Sequence, residues 1–321
     1  MNSRISDLGE RGLIRRLRKR FPSLYAIGDD CAVLPDIQCP VVTTDSFFEG
    51  THFHRWWAPP RILGRRLLEA ALSDIAAMGA RAKWFFVAIS VDPSIRVDWI
   101  EGFYQGLMER EDLVLAGGET VRGERMGITI TAIGEGKERE TILKRSSLHP
   151  GDNLWVSGLL GRAHDAPVKL VKADGLLGDD LHSRSGSLSS EELEQLRAFL
   201  QPRAELELGI ELRKMGVRCA IDISDGLFSE TSHLSLESSV DTVLEIDETL
   251  FFDSVKDKPL AAAAAGEDYV LLFGAPDGLD FSAAGCSKIG YAETGNGEIA
   301  VFLDGDRVNI SATGYDHLEV R

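Results

Sequence analysis

Carboxylates recur in this sequence beside glycines or where apolar runs end. They are Asp29 and Asp30 in IGDD, Asp45 in TTDSFFEGTHF, Asp74 in LSDIAAMGA, Glu119 in AGGETVRG, Asp222 and Asp225 in IDISDGL, and Glu267 and Asp268 in GEDY. A hard cation such as magnesium takes oxygen ligands, keeps several waters and commonly uses few carboxylates together with substrate phosphates. About two or three such ions would consume a set of this size. The neighbouring glycines let backbone amides approach phosphate oxygens closely.

Some members have a plainer reading when taken singly. The Asp pair after Gly28 fits a turn, Asp45 could cap the segment that follows it, and Gly117-Gly118 is a weak loop signal. Asp74 differs, because it interrupts an apolar helical face, where an unpaired carboxylate is costly. Asp222 and Asp225 straddle Ser224 at a strand end that opens a helix, which suits a metal or a phosphate. His52 and His54 lie two apart without a third ligand; they read as polar surface, with His52 a candidate substrate contact.

The elements that must position these groups alternate between strand and helix. Helical spacing covers residues 6–21, then a long apolar pattern from Pro59-Pro60 through Met78 that Gly79 closes, then Val97–Glu109. Strands are expected at Val41–Thr44, Trp84–Val91, Leu113–Ala116 and Gly127–Gly134. The polar, turn-rich stretch 136–152 is the expected boundary, giving domains 1–137 and 138–321. Beyond it, strands are expected at Asn153–Ser157, Cys219–Ile223, Thr242–Ile246 and Tyr269–Phe273, and helices at Glu191–Leu200, Ala204–Met215 and Leu227–Leu236. Residues 173–190 read as a Gly/Ser/Asp-rich loop. Ile299–Leu303 and Arg307–Ile310 flank Asp304-Gly305, a hairpin signal. This alternation predicts an α/β fold.

Composition excludes several classes. A formal net charge of −16 argues against a nucleic-acid surface, which would need clustered Lys and Arg. No run of about 18 uncharged apolar residues occurs, and the basic N-terminus lacks the apolar core of a secretory signal. The four cysteines form no CxxC pair and have no zinc-like spacing to histidine. These features predict a cytoplasmic protein with reduced thiols. No G-x-x-x-x-G-K-[ST] loop is present, and Gly295–Ala300 fits the dinucleotide G-x-G-x-x-A string but precedes a hairpin, so it reads as a turn.

IGDD, TTDSFFEGTHF, LSDIAAMGA, GGETVRG, KRSSLHPGD, IDISDGL, GEDY and GYDH stand in this order from about Gly28 to Asp316. As a colinear set they resemble the thiamine-monophosphate kinases, a family of the aminoimidazole-ribotide synthetase superfamily. The resemblance implies two α/β domains, with the N-terminal sheet pairing across a homodimer. It also implies ATP-dependent phosphorylation of thiamine monophosphate with several magnesium ions. Carried over by motif, Asp30, Asp45, Asp74 and Asp222 would ligate metal, with Thr43, Thr44, Asp225 and Glu119 adding oxygens. Tyr104, Gly118, Glu119, Arg145 and Ser224 would contact ATP, and His52, Glu267 and Tyr315 the thiamine substrate. This chain departs from the family pattern at Glu119, where the family has Asp, at Ala71, where it has Asn, and at Ala261–Ala265 before GED. Two rivals stay open: another ATP-using superfamily member, and a catalytically weakened nucleotide-binding protein.

Overall fold

The computed structural model describes residues 4–21, 34, 37–172 and 188–310, and two β-sheets organise them. Asp29, Asp30 and Cys31, residues 173–187 of the expected loop, and the GYDH segment with Tyr315 lie outside the described residues.

The first half runs α1 (Ile5–Arg20), β1 (Pro40–Phe48), α2 (Pro60–Ala77), β2 (Arg81–Val91), α3 (Val97–Leu107), β3 (Val114–Arg122) and β4 (Gly127–Glu135). The strands pair in the order β1-β4-β2-β3, antiparallel except for β2 with β3. Side chains alternate across a strand. Thus Val41, Thr43, Asp45 and Phe47 of β1 turn toward α2, while Val42, Thr44, Ser46 and Phe48 turn away. On that outer face Thr44 pairs with Thr131 through their hydroxyls at 2.9 Å, and Ser46 with Thr129 at 2.8 Å. Val42, Phe48 and Val121 are exposed there.

The helix α2 is the centre of the molecule. Prolines open it, and Gly79 at φ 62 follows its end, as the sequence predicts. It packs on β1, β2 and β4, on α3, and on three elements of the second half, so nearly every side is buried. A helix buried all round must be apolar or must satisfy its polar groups internally. Its crossing with α3 is close: a Cβ on Gly106 would stand 1.9 Å from the Arg61 carbonyl oxygen, and one on Gly64 2.1 Å from that of Phe103.

The second half runs β5 (Asn153–Val156), α4 (Ala166–Lys172), α5 (Ser190–Leu200), α6 (Leu206–Lys214), β6 (Cys219–Asp222), α7 (Leu227–Ser238), β7 (Val240–Ile246), α8 (Pro259–Ala263), β8 (Leu271–Ala275), β9 (Ser287–Thr294), β10 (Ile299–Leu303) and β11 (Asp306–Val308). Its seven strands are ordered β11-β10-β7-β9-β5-β8-β6. The edge strand β6 and the helices α5 and α6 are what meet α2. Residues 136–152 are tied to both halves: Leu143 N donates to the Met78 carbonyl at 3.2 Å and Lys144 N to that of Arg218 at 2.9 Å.

Two turns behave as the residue types require. Asp304 and Gly305 both have positive φ, at 52° and 86°, and join β10 to β11 as a tight hairpin. The G-x-G-x-x-A string is the turn between β9 and β10, and its amides are already used. Asp241 Oδ1 accepts from Asn296 N at 2.8 Å, Gly297 N at 3.1 Å and Glu298 N at 2.9 Å. Those bonds, the one from Glu298 N foremost, hold the Asp241 carboxyl below its ordinary pKa. A depressed carboxylate contributes stability above its unfolded pKa and loses it as pH falls through the folded one. Asp241→Ala is therefore expected to lower the melting temperature at pH 7. By thermal denaturation across pH, the difference from the parent should shrink below about pH 4, near the unfolded carboxylate pKa.

Candidate active site

The inner face of β1, the C-terminal half of α2 and the end of β6 converge on a cleft of about 310 Å³. Its walls include Asp45, His52, Asp74, Asp222, Ser224, Asp225 and Glu267, each anticipated from sequence, together with Phe47, Thr51, Ala70 and Tyr269. A second recess of about 210 Å³ is lined by Thr43, Asp74, Met78 and Arg145 among others. Asp74 borders both.

Local structure explains each placement. Thr43 and Asp45 share the inner face of β1, and the Thr43 hydroxyl donates a short hydrogen bond to Asp74 Oδ2. The tight turn after β1 folds His52 back, so that its Nδ1 accepts from Phe48 N at 2.9 Å and the ring lies edge-on to Phe47 at 5.9 Å. A histidine accepting at Nδ1 carries its proton on Nε2. Asp222 ends β6, and the chain turns through Ser224 and Asp225 into α7. Buried Glu230 on the first turn of α7 accepts from Asp225 N at 3.0 Å and from the Ser224 hydroxyl at 3.4 Å, which ties that turn down.

The turn at 224–226 and the loop carrying Glu267 interlock. Glu267 N donates to the Ser224 carbonyl at 2.7 Å, and Tyr269 N to that of Ile223 at 2.8 Å. Gly266, Glu267 and Tyr269 all have positive φ, at 71°, 51° and 49°. Only glycine adopts that region freely, so the two side-chain-bearing residues hold strain that the surrounding bonds must offset. Asp268, wholly buried, turns away from the cleft and accepts from Arg162 N at 2.9 Å.

The electrostatics are those of crowded carboxylates. Burial first, and the neighbouring charge of Asp74 second, push the pKa of Asp45 up to about 7. Burial and then Asp74 also raise that of Asp222, against the opposing pull of the Ser73 hydroxyl. Glu230 is pushed up to about 7, chiefly by burial. A divalent cation placed among such groups reverses the penalty by favouring their charged forms. The donors at this point are all oxygens, which suits magnesium rather than a softer metal. Among the described residues no three Asp, Glu, His or Cys side chains form a closed ion cage. Magnesium does not need one, since water and substrate phosphate complete its shell. The residues present fit the ion.

The family model described as AIR synthase related protein, N-terminal domain, matches residues 28–136. A thiamine-monophosphate kinase of Haemophilus influenzae is 32% identical over 317 residues, covering 92% of this chain and 92% of that one. The chain belongs to the thiamine-monophosphate kinase family. The crystal structure of thiamine-monophosphate kinase from Stenotrophomonas maltophilia K279a matches at a TM-score of 0.74 and 31% identity, over 94% of this chain and 98% of that one. A solved structure described as AaThiL complexed with AMPPCP and TMP matches at a TM-score of 0.74 and 28% identity, over 99% and 100% of the two chains. The two-sheet α/β architecture is therefore that of this kinase family.

Not every residue drawn from the family motifs reaches the cleft. The Thr44 side chain points to the opposite face of the sheet and bonds Thr131, because residues 44 and 45 alternate across β1. Gly118 and Glu119 sit on β3, at the other edge of the sheet from β1, and the Glu119 carboxylate accepts from Thr120 N at 2.8 Å. Tyr104 is a core residue of α3, edge-on to Phe103, and burial pushes its phenol up to about 12. Conversely, Tyr269, Ala70 and Phe47 line the cleft, although the sequence marks Tyr269 only as a strand position completing GEDY, Ala70 only as part of the long helix, and Phe47 only as part of the TTDSFFEGTHF string. Gly266 offers a test of the interlocked loops, since a Cβ there would stand 2.4 Å from the Ser224 carbonyl oxygen. Gly266→Ala is expected to cost about 2 kcal/mol or more in chemical denaturation, through positive φ and this clash together.

Proposed function

We propose that this chain transfers the terminal phosphoryl group of ATP to the phosphate of thiamine monophosphate, forming thiamine diphosphate. The observation that carries the reading is Asp74, which borders both the recess with Arg145 and the cleft with His52, Glu267 and Tyr269. A donor and an acceptor can therefore meet across one carboxylate. Membership of the family and the relative complexed with AMPPCP and TMP support the same assignment.

The acceptor is a phosphate monoester, largely ionised at neutral pH because its second pKa is about 6. It needs no strong base, and the obstacle is repulsion between two polyanions. Magnesium, when bound, neutralises and aligns the phosphates. Asp45, Asp74, Asp222 and Asp225 would hold it, with Thr43 bonded to Asp74 and Asp30 supplying a further ligand. Arg145, exposed at the second recess, is suited to fork onto donor phosphates. Ser224 would face the nucleotide, and His52, Glu267 and Tyr315 the acceptor.

Glu119 and Gly118 lie at the far edge of their own sheet, so we propose that they act from a second copy in a homodimer. The uncovered outer face with Val42, Phe48 and Val121 supports that pairing. We also propose the division into domains 1–137 and 138–321, which the two sheets support, and a cytoplasmic location, which the free thiols of Cys39, Cys219 and Cys286 support.

Purified protein supplied with ATP and magnesium should form thiamine diphosphate from thiamine monophosphate, but not from free thiamine or aminoimidazole precursors. Turnover should stop when magnesium is chelated. Binding of ATP without turnover would favour the weakened-protein reading instead. Asp45→Asn and Asp74→Asn should each lower kcat at least about a hundredfold while circular dichroism stays unchanged. Near-normal activity in both would sink the metal assignment.

A further inference from the structure

The face of α2 that carries Asp74 continues to a residue that the reading above leaves without a role. Arg66, Ala70 and Asp74 stand at i, i+4 and i+8 and so share one stripe of the helix. Ala70 and Asp74 line the cleft, and Arg66 is completely buried at 0% exposure. Its Nη2 is 3.0 Å from Glu267 Oε1, its Nε donates to the Phe199 carbonyl at 3.1 Å, and its guanidinium carbon stands 4.5 Å over the Phe199 ring. The remaining nitrogen, Nη1, has no hydrogen-bond partner among the described residues.

A guanidinium buried to this extent is tolerable only when paired. The carboxylate it pairs with is not buried to match: the Glu267 side chain keeps 30% of its surface exposed and lines the cleft. Left alone, a glutamate on a loop would sample several rotamers and swing toward water. Here one oxygen is bound to a planar fork that a ring and a backbone carbonyl already hold still. Such an anchor removes most of the freedom that a ligand would otherwise have to quench on binding.

We infer that Arg66 is a positioning residue that fixes the Glu267 carboxylate toward the acceptor end of the cleft, and so tunes affinity for the phosphorylated acceptor rather than for the nucleotide. The inference rests on the function proposed above. One rigid helix then holds both Asp74, where donor and acceptor meet, and the anchor of the acceptor's polar contact. The spacing between these two points is set by two turns of α2 and not by loop conformation.

The test is steady-state kinetics on the parent protein and on Arg66→Lys, Arg66→Met, Glu267→Gln and the double variant Arg66→Met/Glu267→Gln. KM is measured separately for thiamine monophosphate and for ATP. Arg66→Met should raise the KM for thiamine monophosphate about tenfold or more, with KM for ATP changed by less than about twofold. Arg66→Lys should recover part of that loss. Glu267→Gln should reproduce the selective rise, and adding Arg66→Met to it should do little more, because residues acting as one unit are not additive. If Arg66→Met does not fold, Arg66→Lys and Glu267→Gln decide by the same selective rise in KM. Equal rises for both substrates, additive effects in the double variant, or an unshifted acceptor KM would overturn the inference while leaving the proposed function standing. A parent protein that makes no thiamine diphosphate at all would overturn both.

Discussion

The fold depends on burying one helix, α2, between the inner face of the first sheet and the edge of the second. Most of its surface is apolar and withdrawn from water, yet Arg66, Glu69 and Ser73 are buried on it, and Asp74 is half-buried. Buried polar groups need partners, and Arg66, Glu69 and Asp74 each recruit a different piece of the chain. Arg66 reaches Glu267 and the Phe199 carbonyl. Glu69 takes both its oxygens to Arg110 and accepts from Ala204 N at 2.8 Å. Asp74 accepts from Thr43 on β1. The helix therefore fixes where α5, the segment entering α6, the Glu267 loop and β1 must lie.

This arrangement explains why the cleft can hold charges that do not favour the fold. Asp45 and Asp222 are pushed toward protonation by burial and by Asp74, a penalty the folded chain carries at neutral pH. Glu267 and Tyr269 add positive backbone angles beside them. Strain and like charge concentrated in one place are what a binding site for cations and phosphates requires, and they need a rigid surround. The close crossing of α2 with α3 and the interlocked turns at 224–226 and 266–269 supply that rigidity.

Elements with strong periodic or punctuation signals were legible in advance. The long helix between Pro59 and Gly79, the strand ending in Asp222 and the Asp304-Gly305 hairpin all have local causes, in helix spacing, glycine stops and positive φ. Other elements differ. The strand around Asp45 runs on to Phe48 and that around Gly117 on to Arg122, since pairing with β4 and β2 extends ladders past their apolar cores. The central strand β9 was not anticipated: Ser287-Lys288 and Glu293-Thr294 mask its short apolar middle, and flanking strands rather than propensity hold it.

For the candidate site the division follows distance along the chain. By itself the sequence determined which carboxylates cannot be ordinary core or surface, because Asp74 on an apolar helix face and Asp222 at a strand end are costly without a purpose. It also determined the family, through motifs kept in order over most of the length. Only the tertiary structure decided which of those residues meet. Asp45, Asp74, Asp222 and Glu267 come together through sheet pairing and the packing of α2. Thr44 is turned away by strand alternation, and Glu119 is carried to the opposite edge of its sheet. Arg66 carries no signal of its own in the sequence, and only burial pairs it with Glu267. Spacing in sequence reports local periodicity, whereas these contacts join residues as far apart as 66 and 267, and only packing brings them within reach.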